Sequence, residues 1–210
     1  MYRISTALAI VLACTALKAD KAPTPVPLKE HRLNFSLLQF GYDFLKKDTV
    51  YTGFDLKLTP IWDINDKDLS RRNYSLSGEF RLGHHLGITP KDSLITYGSI
   101  GYTKFHRDYI QYLKEHAYFG VGAKFFHEFG PIFQMGVHVK GTRSLLNEYE
   151  IPTYNERESN KWGIEVGLPV AWHLGENRDW EIQLEPYFTH VACAGKLEFI
   201  GSRLTFGFRF

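Results

Sequence analysis

The sequence predicts an all-β fold: an antiparallel transmembrane β-barrel over residues 33–210, with eight strands expected and ten the alternative. Three observations predict it. Stretches of about 9–12 residues alternate strictly between apolar and polar side chains, which is the pattern of two-faced strands long enough to cross a bilayer at a tilt. The connections between them alternate short and long. Several apolar phases begin or end on aromatic residues, notably Trp162 and Trp172, as interfacial girdles do. Composition agrees: 15% of the 210 residues are aromatic, with 16 Phe, 12 Tyr and 18 Gly, a bias towards strands.

The first residues carry targeting rather than fold. Met1-Tyr2-Arg3 supplies a positive start, and Ile4 to Leu17 is apolar or small without charge. Such a run is too short for a stable bilayer-spanning helix, so residues 1–19 are expected to be a cleaved signal peptide ending at Ala19. Val11-Leu12-Ala13-Cys14 offers a rival reading, a lipoprotein box that would leave Cys14 lipidated. Residues 20–32, with Pro23, Pro25 and Pro27, form an extended leader. Losing residues 1–19 removes Arg3 and Lys18 and no acid, so the 25 Lys and Arg fall to match the 23 Asp and Glu. A neutral chain carries no message about nucleic acid. It would keep Cys193 alone, so no internal disulfide is expected.

The strands follow in order. In 50–58, Val50, Thr52, Phe54, Leu56 and Leu58 oppose Tyr51, Gly53, Asp55 and Lys57. In 74–82, Tyr74, Leu76, Phe80 and Leu82 oppose Ser75, Ser77, Glu79 and Arg81. In 117–125, Phe119, Val121 and Phe125 oppose Tyr118, Gly120, Gly122 and Lys124. In 133–140, Met135, Val137 and Val139 oppose Gln134, Gly136, His138 and Lys140. In 162–172, the phase from Trp162 to Trp172 opposes Gly163, Glu165, Gly167 and Pro169. In 180–188, Trp180, Ile182, Leu184 and Phe188 oppose Glu181, Gln183, Glu185 and Tyr187. The last segment sets Leu204, Phe206, Phe208 and Phe210 against Arg203, Thr205, Gly207 and Arg209. Two segments are less regular. Residues 33–44 slip phase between Leu37 and Leu38, which a bulge would reconcile, and 94–105 show Ile95/Tyr97 and Ile100/Tyr102 on competing faces.

Short connections are expected at 46–49, 89–92, 128–131 and 175–179, and long ones at 63–73, 106–116, 143–160 and about 190–201. These segments number nine, an odd count that a single-chain bacterial barrel does not have. The start of the barrel, at 33–44, is where the count is unsettled.

The terminal residues Leu204-Thr205-Phe206-Gly207-Phe208-Arg209-Phe210 resemble the last strand of bacterial outer-membrane β-barrels, with in-phase hydrophobics and a final Phe. Tyr97-Gly98-Ser99-Ile100-Gly101-Tyr102 and Tyr118 to Lys124 are similar to strands of small OmpA/OmpX-like barrels. The resemblance implies an outer-membrane location in a Gram-negative-type bacterium. It implies contact with outer-membrane lipid and lipopolysaccharide, and recognition of Leu204, Phe206, Phe208 and Phe210 by the barrel-assembly machinery.

The chemistry resides in the polar phases. Asp55, Glu79, Glu165, Glu181 and Glu185 share them with Lys57, Arg81, Lys124, Lys140, Arg203 and Arg209. A narrow barrel is filled by its own side chains, so these charges are expected to pair into a plug. The expected role is therefore structural or surface-interacting and non-enzymatic, without metal or cofactor. A charged solute path through a wider lumen is one alternative. Another comes from His190-Val191-Ala192-Cys193, which weakly resembles the His-x-Ser-Asn motif of outer-membrane lipid A deacylases, with Ala192 where the nucleophilic hydroxyl belongs. His84 and His85, adjacent on a strand, point to opposite faces, whereas His106 and His116 flank a loop and could meet. The acidic loop 143–160, with Glu148, Glu150, Glu156, Glu158, Tyr149 and Tyr154, is a candidate contact for a host or another cell surface.

Overall fold

The computed structural model of the chain describes residues 29–36, 38–46, 48–63, 74–106, 112–151, 154–175, 178–192 and 197–209. The proposed signal peptide, both cysteines and Phe210 lie outside these residues. The described chain is β throughout, in twelve strands: β1 (Lys29–Ser36), β2 (Gln39–Lys46), β3 (Tyr51–Asp63), β4 (Tyr74–Gly87), β5 (Asp92–His106), β6 (Tyr112–Glu128), β7 (Phe133–Ile151), β8 (Tyr154–Glu158), β9 (Trp162–Gly167), β10 (Val170–Leu174), β11 (Trp180–Val191) and β12 (Leu197–Arg209).

All pairings are antiparallel and the sheet closes on itself. From β1 to β7 each strand pairs with the next, β7 pairs with β9, β9 with β11, β11 with β12 and β12 with β1. That is a closed ring of ten. β8 and β10 extend β9 at either end along β7, so the three make one interrupted stave. The interruption at Leu168-Pro169 is bridged by Gly136 N–H to Pro169 O (2.8 Å) and Leu168 N–H to Pro186 O (3.0 Å).

The expected count of eight is thus corrected to ten, and the correction falls at 33–44. The phase slip there is a reversal of the chain rather than a bulge. Phe35 pairs with Phe40, and Leu33 with Tyr42, across a two-residue connection. Such a connection pairs odd-numbered residues with even-numbered ones, so an apolar face that continues round the wall must switch parity in the sequence. The proposed leader is also shorter than 20–32, because Lys29 to Arg32 already pair with β2.

Two further expectations change. The segment 143–160 is mostly strand: β7 and β8 form a projecting hairpin, with Asn147 opposite Glu158 and Ile151 opposite Tyr154. The 106–116 connection shrinks because β6 starts at Tyr112. The four short connections do lie where expected, between β2 and β3, β4 and β5, β6 and β7, and β10 and β11, and the ends of β1 and β12 at Lys29 and Arg209 are at their level. In the first of these turns Asp48 takes a positive φ of 56°, and its Oδ1 accepts a hydrogen bond from Gly87 N–H (2.9 Å), tying the turn to β4.

At the opposite end the ring is narrower. β12 there pairs directly with β3, Phe199 opposite Asp63 and Gly201 opposite Ile61, bypassing β1 and β2. Eight staves close that end and ten close the other. With strands about 4.8 Å apart and tilted about 40°, the radii are about 8 Å and about 10 Å. The wall therefore tapers.

Candidate functional site: the charged interior of the barrel

The alternation read from the sequence maps onto the wall. Outward residues such as Phe54, Leu56, Phe80, Leu82, Ile100, Val121, Val137, Leu184 and Leu204 are exposed, and the residues between them are buried in the lumen. β5 resolves in the same way: Ile95, Tyr97, Ser99, Thr103 and Phe105 face in, while Ile100 and Tyr102 face out.

Ten of the eleven predicted lumen charges have described side chains, and all ten face the interior; Arg209 is described by its backbone alone. The centre is built on Arg81, Lys140 and Arg203. Arg81 lies 2.5 Å from Asp55, 3.4 Å from Asp43 and 3.9 Å from Glu79. Lys57 meets Asp55 at 3.2 Å. Lys140 donates to Glu79 at 2.7 Å and stands 3.8 Å from Glu165. Arg203 bridges Glu165 (2.8 Å) and Glu185 (3.1 Å), with its guanidinium over the Tyr187 ring (3.9 Å to the centroid). Glu181 belongs to a separate pair of contacts nearer the wide end, with Arg32 (3.2 Å) and His173 (3.3 Å). Lys124 lines the wide-end cavity described below.

Several partners escaped prediction. Asp43 accepts from Asn34 Nδ2 (2.7 Å) and Tyr51 OH (2.8 Å). Tyr118 OH donates to Glu79 (2.6 Å). His138 sits between Glu185 at its Nδ1 (2.9 Å) and Tyr97 OH at its Nε2 (2.6 Å). A carboxylate only accepts, so Nδ1 carries a proton, and in the neutral ring Nε2 accepts from the tyrosine. Asp43 was hidden by the phase slip in its segment, and Tyr97 by apolar residues on both faces of its own. Tyr51, Tyr118 and His138 lay in the correct phase, but formal charge alone does not reveal a buried hydrogen-bond partner.

Glycine makes room for this layer. Gly101 pairs with Tyr118, and Gly122 with Tyr97, across neighbouring strands. A Cβ at Gly101 or Gly122 would stand 2.5 Å from the facing tyrosine ring. The inward glycines are the sockets into which long side chains fold.

Among the described side chains of the central layer and its wide-end flank, six carboxylates (Asp43, Asp55, Glu79, Glu165, Glu181, Glu185) therefore share the interior with six cations (Arg32, Lys57, Arg81, Lys124, Lys140, Arg203). The balance allows full pairing, which a low-dielectric interior demands. Two small cavities flank the layer, of about 60 Å³ towards the narrow end and about 50 Å³ towards the wide end. Lys57, Glu79, Glu165 and Arg203 line both and form the partition between them. Each has room for a few water molecules. Arg178, from the β10–β11 turn, meets Glu128 at 3.2 Å by the short-turn end.

On the outer wall at the narrow end, His190 Nδ1 bonds Glu198 Oε1 (2.9 Å), with the imidazole against Trp162 (5.1 Å between centroids). No hydroxyl completes this dyad among the described residues of its own strand. Ala192 has none, and Thr189 Oγ1 turns inward to Glu165 (3.4 Å). His106 and His116 do not meet: His106 stacks outside on Tyr74 (4.6 Å), whereas His116 is buried against Asn147 (2.6 Å). His84 is exposed and His85 buried, as their adjacency requires. In the β7–β8 hairpin, Arg157 pairs with Glu148 (3.3 Å), and beyond it Lys161 pairs with Glu158 (3.4 Å). In comparisons with known proteins, no family model and no curated protein matches this chain.

Proposed function

We propose that this protein is a small outer-membrane β-barrel of a Gram-negative-type bacterium, with a structural or surface-interaction role and no enzymatic activity. One observation carries the reading: the wall is inside-out for a water-soluble protein. Among the described residues thirty large apolar side chains are exposed, far beyond the isolated patches a soluble monomer tolerates. The interior they surround is charged and paired.

The dimensions support it. From Trp180 to His190, β11 runs about 34 Å at about 3.4 Å per residue, or about 26 Å along the barrel axis at a tilt of about 40°. A membrane barrel presents an apolar band about 25 Å tall. Aromatic contacts fall at both ends of that span, Trp180 with Phe208 (4.7 Å) and Phe133 with Trp172 (6.0 Å) at one, Trp162 with His190 and Tyr74 with His106 at the other. In this orientation the short turns face the periplasm and the β7–β8 hairpin faces outward, where it would meet lipopolysaccharide or another cell surface. The partition of Lys57, Glu79, Glu165 and Arg203 argues for a plug rather than a passage.

The His190–Glu198 pair on the outer wall favours a second reading, a lipid-modifying enzyme acting at the outer leaflet. Three measurements separate the readings. Expressed in a Gram-negative host, the protein is expected in the outer-membrane fraction, with electrophoretic mobility that changes on heating. A monomer soluble in the periplasm without detergent overturns the membrane reading. Lipid A of unchanged mass is expected, and a lost acyl chain would establish the enzyme. Conductance at background level in planar bilayers is expected, and discrete channels would refute the plug.

A further inference from the structure

The β1–β2 hairpin occupies only the wide half of the wall. Its tip, between Ser36 and Gln39, stops below the direct β12–β3 ladder, leaving a fork in the sheet. The register on the two sides of that fork is the same. Through the hairpin, Phe206 lies beside Phe35, Phe35 beside Phe40, and Phe40 beside Leu56. Counting five residues down the direct ladder from Gly201 opposite Ile61 also sets Phe206 opposite Leu56. The rows Gly207–Asn34–Gly41–Asp55 and Phe208–Leu33–Tyr42–Phe54 agree in the same way. Two strands have been added to the wall without adding any stagger.

From this we infer that the β1–β2 hairpin is a removable wedge in the seam of an eight-stranded barrel, and that β12 and β3 close directly on each other when it leaves. Closure brings Leu204 opposite Leu58, Phe206 opposite Leu56 and Phe208 opposite Phe54 on the outer face. On the inner face it brings Thr205 opposite Lys57 and Gly207 opposite Asp55. These three outward pairs are apolar, and the two inward pairs leave space beside each charge. Register is the property that a strand exchange ordinarily destroys, because a slip of one residue turns every side chain to the wrong face. Here nothing slips.

The backbone and the charges fit the same inference. Leu58 N–H donates to Leu38 O at the hairpin tip (2.6 Å), so the nitrogen two residues on, at Pro60, faces the same seam at the level of the fork. A proline there leaves no donor stranded where the partner strand changes. Among its described side chains the hairpin lends the lumen one cation, the half-buried Arg32, and one anion, the buried Asp43. Their ion-pair partners keep others without it: Glu181 keeps His173 at 3.3 Å, and Arg81 keeps Asp55 at 2.5 Å, while Tyr51 OH gives up its bond to Asp43. The hairpin also precedes the rest of the barrel in sequence, so its departure cuts no connection inside the wall. Removal of two staves would narrow the wide end from a radius of about 10 Å to about 8 Å, matching the other end.

The test combines a deletion with a cross-link, in a background carrying Cys14→Ser and Cys193→Ser. Leu56→Cys and Phe206→Cys are three strand spacings apart in the ten-stave wall, about 14 Å, and direct neighbours in the eight-stave wall. A disulfide needs Cα atoms closer than about 7 Å. A chain lacking residues 29–48, refolded in detergent, is expected to form a heat-modifiable barrel that oxidises rapidly to the cross-linked form. The full chain is expected to cross-link slowly, and Phe35→Asp with Phe40→Asp, which makes the hairpin's outer face costly in detergent, is expected to raise that rate at least tenfold. A deletion variant that stays unfolded, or folds without the cross-link, overturns the inference. So does a full-length Asp variant that cross-links no faster than its parent.

Discussion

Arg203 is the residue whose loss the charged layer should feel most. Its guanidinium bridges Glu165 and Glu185 at 2.8 and 3.1 Å and covers the Tyr187 ring. Arg203→Met keeps much of the aliphatic stem and removes the charge. Glu185 is then left with the His138 hydrogen bond at 2.9 Å, and Glu165 with Lys140 at 3.8 Å and the Thr189 hydroxyl at 3.4 Å, so two buried carboxylates share weaker partners. Removing one partner of a buried ion pair costs about 3–5 kcal/mol. A loss of about 3 kcal/mol is more than a hundredfold in the folding equilibrium, at about 1.4 kcal/mol per tenfold. Reversible denaturant unfolding in detergent micelles, followed by tryptophan fluorescence and by gel mobility, would measure it. The neighbouring outward substitution Leu204→Met is the control and should cost under about 1.5 kcal/mol. Adding Glu165→Gln and Glu185→Gln to Arg203→Met should restore part of the loss, since neutral amides do not need the missing charge. An Arg203→Met cost below about 1 kcal/mol, the value of a solvated surface pair, would refute the description of this layer as a desolvated plug.

Tyr118→Phe deletes the 2.6 Å hydrogen bond to Glu79 while keeping the ring, and a loss of about 1.5–3 kcal/mol is expected in the same unfolding assay, as for other bonds to charged groups. Gly101→Val puts a branched side chain against the Tyr118 ring, where a Cβ alone would lie at 2.5 Å, and should destabilise by at least about 1–3 kcal/mol; Gly130→Ala, with nothing near its Cβ position, should be close to neutral. Arg203→Ala combined with Glu165→Ala removes two of the four side chains that line both cavities, and is expected to raise planar-bilayer conductance above the parent's background while the protein stays heat-modifiable.

Much of this molecule was legible in one dimension, and the reason is physical. A strand has a period of two, so each segment states both of its faces without reference to any other. Asp55, Lys57, Glu79, Arg81, Lys140, Glu165 and Arg203 could therefore be assigned to one interior before their contacts were known. The short connections were legible as well, because tight reversals place polar residues, Gly and Pro between two-faced runs. Where apolar residues occur on both faces, the signal disappears. β5 was ambiguous because the narrow barrel also buries Ile95, Tyr97 and Phe105 among its polar groups. The hydrogen-bond roles of Tyr51, Tyr97, Tyr118 and His138 depend on which side chains reach across the lumen, which alternation does not specify.

The sequence by itself determined the two faces of the wall, most of the charges it encloses and the positions of its short turns, since each follows from local pattern. The tertiary structure alone decided the count and closure of the staves. Leu33 to Phe44 reads as one bulged strand, and only pairing with β12 and β3 reveals the hairpin. It also decided which carboxylate meets which cation, because those contacts span the lumen between residues as distant in sequence as Lys140 and Glu79. Pairing across a closed ring is a global condition, and no single segment contains it.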